Sequence, residues 1–571
     1  MSKFHYNEEQ ESYDAIVVGS GISGGWAAKE LCEAGLKTLV LERGRMVKHI
    51  EDYPTANMDD WDFPNGGELP REEKAKQFKQ ARTGYTVRAQ HNFWFVNDLE
   101  HPYNEVKRFD WMRGYHVGGR SIMWGRHSYR FSELDFEANK IDGHGVDWPV
   151  RYKDIAPWYD KVEAYIGVTG EPLGLPQLPD GIFEPMMELN CLEQHVREKL
   201  LEHYDNRIMT PGRVAHINSD KEFEGRMRCQ FRDRCIRGCP FGAYFSSLSS
   251  TLPAAERTGN LTLRPDSIVH EIMYDPDTQK ATGVKVIDRE TKETYEFRAK
   301  VIFLCASAIA STAIMMQSRS DRFPNGLGND SDQLGRNIMD HHLDIGASGK
   351  FDGFEDKYYK GRKAAGIYLP RFRNLGGDTD VDSFIRGYGY QGGASRGNWE
   401  DVVAELSHGK NLKDAILKPG GWSFGMGGFG EMLPYEDNRM TLDYDHKDQW
   451  GLPTVTFDAE YKENELNMRK DMQEQAVEML TKAGLRDVEP YDNGGAPGLG
   501  IHEMGTARMG RDPKTSVLNG YNQVHAVKNV YVTDGAFMTS ASCVNPSLTY
   551  MAFTARAAAH AAQQFKSGAF S

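Results

Sequence analysis

A glycine turn between two short apolar runs near the N-terminus constrains this chain most. Asp14–Val18 is the length and composition of a buried parallel strand. Gly19, Gly21 and Gly24 follow it as G-x-G-x-x-G, then a helical stretch to Leu31, then Leu39–Leu41 ending on Glu42. The first glycine permits a tight turn, the second lets a pyrophosphate approach the backbone, and the third lets the helix pack on the strand. The helix N-terminus presents free N–H groups to phosphate. Glu42 stands 18 residues beyond Gly24, at the end of the second strand, where a carboxylate accepts ribose hydroxyls. The motif with both strands, the helix and the acid in place predicts a dinucleotide site of Rossmann type; the bland alternative is an ordinary glycine-rich α/β turn.

With 571 residues the chain is long enough for several domains' worth of core. Its net charge of −14 argues against nucleic acid or an anionic membrane as a default partner. No segment reaches the roughly 20 apolar residues that span a bilayer. The nearest, Val301–Met316, reads better as a strand entering a helix. The polar first residues, Met1–Gln10, carry no apolar export signal. Seven cysteines in so long a chain do not make a disulfide framework.

Further along, residues 46 to 110 read as an irregular excursion and Tyr115–Ser121 as a second glycine turn. Helical stretches fall at Trp158–Ile166 and Cys191–His203, and Leu261–Arg289 suggests a small antiparallel meander. Glycine-rich pieces alternate with strand-like ones between 350 and 500. Val530–Gly535 is another strand running into a glycine turn, and Leu548–Gln564 a closing helix. The expected fold is α/β. A discontinuous nucleotide-binding domain is expected over 12–50, 110–135, 250–345 and 500–565. A helical insert is expected over 136–249, and a second, α+β domain on an antiparallel sheet over 346–499.

Five separated motifs carry a resemblance. They are Val18–Gly24 with Glu42, Val117-Gly-Gly-Arg-Ser121, Leu334–His341, His502-Glu-Met-Gly-Thr-Ala-Arg-Met-Gly510, and Tyr531–Gly535 with Asn545-Pro546. In this order they resemble the glucose–methanol–choline (GMC) oxidoreductases, which use FAD. The resemblance implies that His502 is the catalytic base and Asn545 its partner, hydrogen-bonding the substrate hydroxyl. A neutral imidazole suits removal of a hydroxyl proton while hydride leaves carbon for flavin N5. It further implies that FAD is met by Gly19, Gly21, Gly24, Glu42, Arg43, Val117, Gly118, Gly119, Ser121, Val269, Asp534, Gly535, Asn545 and Pro546. His341 matches a family histidine expected to be structural. Pyranose 2-oxidases of the family tether FAD through a histidine at the place that Met123 occupies here, so FAD is expected to be noncovalent.

Cys229, Cys235 and Cys239 form C-x5-C-x3-C followed by Pro240. Thiolates so gathered bind soft metal centres, and Cys-Pro endings recur in iron–sulfur ligation. Zinc is a second reading, although structural zinc usually takes four ligands; three unrelated thiols are a third. Arg228, Arg232, Arg234 and Arg237 are expected to offset thiolate charge. The spacing is similar to that of the family's iron–sulfur dehydrogenases, which implies a 3Fe–4S cluster. It also implies a small subunit carrying the export signal, a cytochrome c-type acceptor, and work in the periplasm by co-export, or in the cytoplasm if there is no such partner. The reaction so implied is dehydrogenation of a secondary alcohol of a sugar or glycoside, favouring C3 of a pyranoside as in glucoside 3-dehydrogenases. An oxygen-using, pyranose-oxidase-like enzyme and a non-catalytic assembly subunit are the alternatives. Tyr388, Tyr390, Gln391, Trp422 and Phe424 are candidate pocket residues or core.

Overall fold

The computed structural model describes residues 7–357, 364–397, 413 and 420–570. The first glycine unit folds as its pattern requires: β1 (Asn7–Val18), α1 (Ile22–Glu33) and β2 (Thr38–Leu41). β1 runs parallel to β2 on one side and to Thr294–Leu304 on the other. The run Val301–Met316 is resolved as the end of that strand followed by helix Ala308–Gln317. Val530–Val532 adds parallel to Thr294–Leu304, so both ends of the chain meet in one seven-stranded sheet. Side chains of Ala15–Val18 on β1 and of Thr38–Leu41 on β2 are buried on both faces, as parallel strands between helices must be.

The meander needs one correction. Ser267–Asp275, Lys280–Asp288 and Thr294–Leu304 are antiparallel neighbours. Leu261–Arg264, expected among them, instead pairs in parallel with β2. A two-residue turn between it and Ser267 leaves that strand free to join the opposite edge.

A second seven-stranded sheet has the path Arg486–Asp492, Ile345–Phe351, Trp422–Glu431, Tyr388–Arg396, Ile367–Leu369, Thr210–Pro211, with His341–His342 pairing Trp422–Glu431. Thr210–Pro211 and His341–His342 reach this sheet from outside residues 346–499. Helix Glu463–Lys482 covers one face through Met468, Met472, Ala476, Met479 and Leu480. The excursion over 46 to 110 is largely irregular, broken by five short helical turns, and its Asn104–Glu105 pairs with Pro453–Asp458. Among the described residues no helix is long and apolar enough to cross a membrane. No disulfide joins any of the seven cysteines.

Candidate active site

A cavity of about 480 Å³ is lined by the first glycine turn, the second glycine turn, the loop before Met504 and the start of helix Ser547–Lys566. At one end, Glu42 is buried. Its Oε2 accepts the Ser20 N–H (3.1 Å) and Ser20 Oγ–H (2.6 Å), and its Oε1 accepts the Gly44 N–H (2.9 Å). Burial pushes its carboxyl above the usual range. The Gly118 N–H donates to Ser20 Oγ at 3.1 Å, tying the two glycine turns together.

The cavity residues fit an adenine dinucleotide. A Cβ on Gly21 meets nothing within 4 Å, so the turn is open on the cavity side. Gly119 approaches it so closely that its own Cβ would lie 3.2 Å from Gly21 Cα. Buried Arg43 Nε, also at the cavity, has no protein partner. Of the residues expected to meet the cofactor, Gly19, Gly21, Glu42, Arg43, Gly119, Ser121, Val269, Asp534, Gly535 and Asn545 line this space. Gly24, Val117, Gly118 and Pro546 do not. Gly24 is a packing glycine, since its Cβ would stand 1.9 Å from Gly19 O. Gly118 is left-handed (φ 90°) with its Cβ position against Leu248, which makes it a turn residue.

At the other end His502 and Asn545 share the cavity with Gln391, Phe429 and His127. The loop carrying His502 is pinned from below by Asp340. One Asp340 oxygen accepts the N–H groups of Gly498 (2.7 Å) and Gly500 (2.9 Å), the other that of His502 (3.0 Å). Burial, then the nearby Glu503 charge, pushes the Asp340 carboxyl up to about 7. Glu503 is held by a two-pronged ion pair with Arg120 at 3.1 and 2.9 Å. His502 Nδ1 lies 2.8 Å from His341 Nδ1, and His341 Nε2 lies 2.8 Å from Ser542 O. Burial holds His341 neutral, with its pKa near 4, and drives His502 well below the ordinary imidazole value. Gln391 Nε2 donates to Asn545 Oδ1 at 2.6 Å.

Four of the five candidate pocket residues belong to the core. Tyr388, Tyr390, Trp422 and Phe424 pack with helix Glu463–Lys482. Strand side chains alternate, so Gln391 and Phe429 fall on the opposite, cavity-facing side. Asp340, Arg120 and the Gln391–Asn545 contact were not singled out by spacing, because each acts across more than 150 residues. The one available signal was the Asp-His pair closing the Leu334–His341 motif.

The cysteine loop lies beside the same cavity. Ile236 is part of the lining, and the Tyr244 hydroxyl lies within hydrogen-bond reach of two carbonyls, Ile122 O and Cys235 O (3.0 Å), either of which its one hydrogen can serve. Burial, with smaller contributions from Cys235 and Cys239, pushes the Cys229 thiol up to about 11. Among the described residues, however, no three His, Cys, Asp or Glu side chains are gathered as a metal site. The four arginines of this segment make contacts of their own. Arg234 pairs with Asp59, Arg237 with Asp60 (2.5 Å), Arg228 with Asp220 (3.7 Å), and Arg232 donates to Ala56 O. Three of the four fasten the Cys loop to residues 56–60, through the Asp59 and Asp60 carboxylates and the Ala56 carbonyl.

Comparison with known proteins agrees with this geometry. The N-terminal GMC oxidoreductase model matches residues 13–343 and the C-terminal one residues 434–554. The 2-methyl-1,2-propanediol dehydrogenase of Mycolicibacterium austroafricanum is 29% identical, over 97% of this chain and 95% of its own. The fructose dehydrogenase large subunit of Gluconobacter japonicus is 25% identical, over 98% of this chain and all of its own. Pyridoxine 4-oxidase from Mesorbium loti shares the fold, with a TM-score of 0.59 at 17% identity, covering 96% of this chain and 98% of its own. The chain therefore belongs to the GMC oxidoreductase family, enzymes that act on CH–OH donors.

Proposed function

We propose that this protein is an FAD-dependent dehydrogenase oxidising a secondary alcohol of a sugar or glycoside, with C3 of a pyranoside the favoured carbon. The observation that carries the reading is that His502 and Asn545 face the same cavity as Glu42 and the open Gly21 turn. FAD, when bound along Gly19, Gly21, Glu42, Arg43, Gly119, Ser121, Val269, Asp534 and Gly535, supplies the hydride acceptor. In this reading the pieces 12–50, 110–135, 250–345 and 500–565 form the cofactor domain, and 346–499 supplies the substrate side.

His502, neutral through burial, takes the hydroxyl proton. Asn545 holds the same hydroxyl: Gln391 occupies its Oδ1, which leaves the Nδ2 hydrogens free to donate. Phe429, Leu343, Leu499 and Ile501 exclude water around the reacting carbon, while His127 and Arg126 offer polar contacts to further hydroxyls. The relative named as a fructose dehydrogenase supports a sugar substrate; the C3 preference rests on the resemblance of Val117–Trp124 to pyranose-oxidising members.

A 3Fe–4S cluster on Cys229, Cys235 and Cys239, a small subunit carrying the export signal, a cytochrome c-type acceptor and a periplasmic site complete the proposal. They are supported by the cysteine spacing, by the place of the loop against the cavity, and by a relative named as a large subunit. The thiols as arranged do not form a cage, so no electron-transfer step is derived through them. Iron and sulfide analysis of anaerobically isolated protein tests the cluster, with about three irons per flavin expected.

Product NMR on glucose, lactose and methyl glucoside tests the substrate. The base is tested by His502→Ala, which should keep FAD and slow its reduction by about 10²–10⁴-fold. Near-normal reduction would remove His502 from the mechanism.

A further inference from the structure

His341 is fully buried and outside the cavity, yet it stands between His502 and a main-chain carbonyl. The polarity of that chain is decided at its far end. Ser542 O can only accept, so the His341 nitrogen 2.8 Å away, Nε2, carries its hydrogen. A neutral imidazole has one N–H, so His341 Nδ1 is a bare acceptor. The His502 Nδ1 that approaches it to 2.8 Å must then be the donor. The reverse arrangement would set the lone pairs of His341 Nε2 and Ser542 O against each other, without water, in the interior. The rings stand 85° apart with centroids 4.9 Å apart, and Phe429 packs against both.

We infer that His341 is a positioning residue that locks His502 in its Nδ1–H tautomer and so leaves Nε2, on the edge open to the cavity, as the basic atom; this rests on the alcohol-oxidation reading above. The proton accounting closes. The alcohol O–H breaks, its proton goes to His502 Nε2, and the carbon hydrogen leaves with its electron pair for the bound FAD. His502 then carries both hydrogens while its Nδ1–H stays on His341. The other groups facing His502 are Arg120 and His127, which oppose protonation, and Asp340 and Glu503 behind its backbone. No carboxylate touches its ring among the described hydrogen bonds. The orienting partner is therefore a neutral histidine, where a carboxylate would have raised the basicity of His502 and stabilised its charged form.

The test uses the FAD-loaded enzyme labelled with ¹⁵N-histidine. Long-range ¹H–¹⁵N spectra, assigned with His502→Ala, should show His502 as the Nδ1–H tautomer. In His341→Leu that signal should become a tautomer mixture, and reduction of the flavin by whichever of glucose or methyl glucoside is oxidised should fall about 10–100-fold at unchanged flavin content. His341→Gln keeps an acceptor toward His502 and a donor toward Ser542 O. It should restore most of the rate and a wild-type pH profile, which a merely structural defect would not permit. An Nε2–H tautomer in the wild type, or a wild-type reduction rate in His341→Leu while His502→Ala is inactive, overturns the inference. A fully active His502→Ala overturns instead the reading beneath it.

Discussion

Gly21 and Gly24 stand three residues apart in one motif, but the structure gives them opposite jobs, so an alanine at each should fail in opposite ways. A Cβ at Gly24 falls 1.9 Å from Gly19 O, where ordinary contact begins at 3.4 Å. Backbone lies on both sides of that 1.5 Å shortfall, so α1 must move away from β1. Overpacking of this kind costs about 1–3 kcal/mol, and with no side chain to yield, the upper end is expected. A Cβ at Gly21 meets nothing within 4 Å, and Gly21 has φ −72°, a value alanine adopts freely. Gly21→Ala should change the stability of the flavin-free fold by less than about 1 kcal/mol, because the gain through the unfolded chain is offset by the poor fit of alanine at the N-cap of α1. Its methyl projects where the pyrophosphate must come, and losing one charge-assisted hydrogen bond of about 1.5–3 kcal/mol weakens FAD binding about 10–100-fold. Urea midpoints of flavin-stripped protein and FAD titration by fluorescence quenching separate the two. Equal destabilisation by both alanines, or wild-type FAD affinity in Gly21→Ala, would refute the division.

Gln391→Ala should slow flavin reduction about tenfold with FAD retained, since Asn545 loses its orienting donor; Tyr390→Phe, deep in the core on Met472 O, should cost about 1 kcal/mol of stability and leave reduction alone. Acid precipitation should release all the FAD to the supernatant, because Met123 cannot form the histidyl tether; yellow pellet would contradict this. Asp340 sets a pH dependence. Its folded pKa of about 7 exceeds its ordinary value of 3.8, so its contribution to stability is full below about pH 4 and is lost as pH rises through about 7. The whole swing is of order 4 kcal/mol. Asp340→Asn lacks that slope, so its melting temperature relative to wild type should improve from pH 5 to about pH 7 and then level off; parallel curves would show that Asp340 does not titrate there.

What was legible in the sequence was whatever neighbours in the chain decide together. The β1–α1–β2 unit is such a case, because turn, close packing and acid all lie within about thirty residues and each needs a particular residue type. Val301–Met316 is another, resolved from strand and helix pattern alone. Motif order made His502 and Asn545 candidates, and the fold brings both to one cavity. The rest required distant segments to meet. The two-residue alternation of Tyr388–Gln391 was visible, but helix Glu463–Lys482 decides which face is core, and it puts Gln391, not the tyrosines, in the cavity. Arg234 and Arg237 looked destined for thiolates until the excursion brought Asp59 and Asp60 to them. His341 is structural by the resemblance alone; its partners lie 161 and 201 residues away, beyond the reach of any local pattern. Local rules place a histidine in a motif; only the folded chain sets another histidine and a carbonyl behind it, and hydrogen-bond direction then decides which nitrogen meets the substrate.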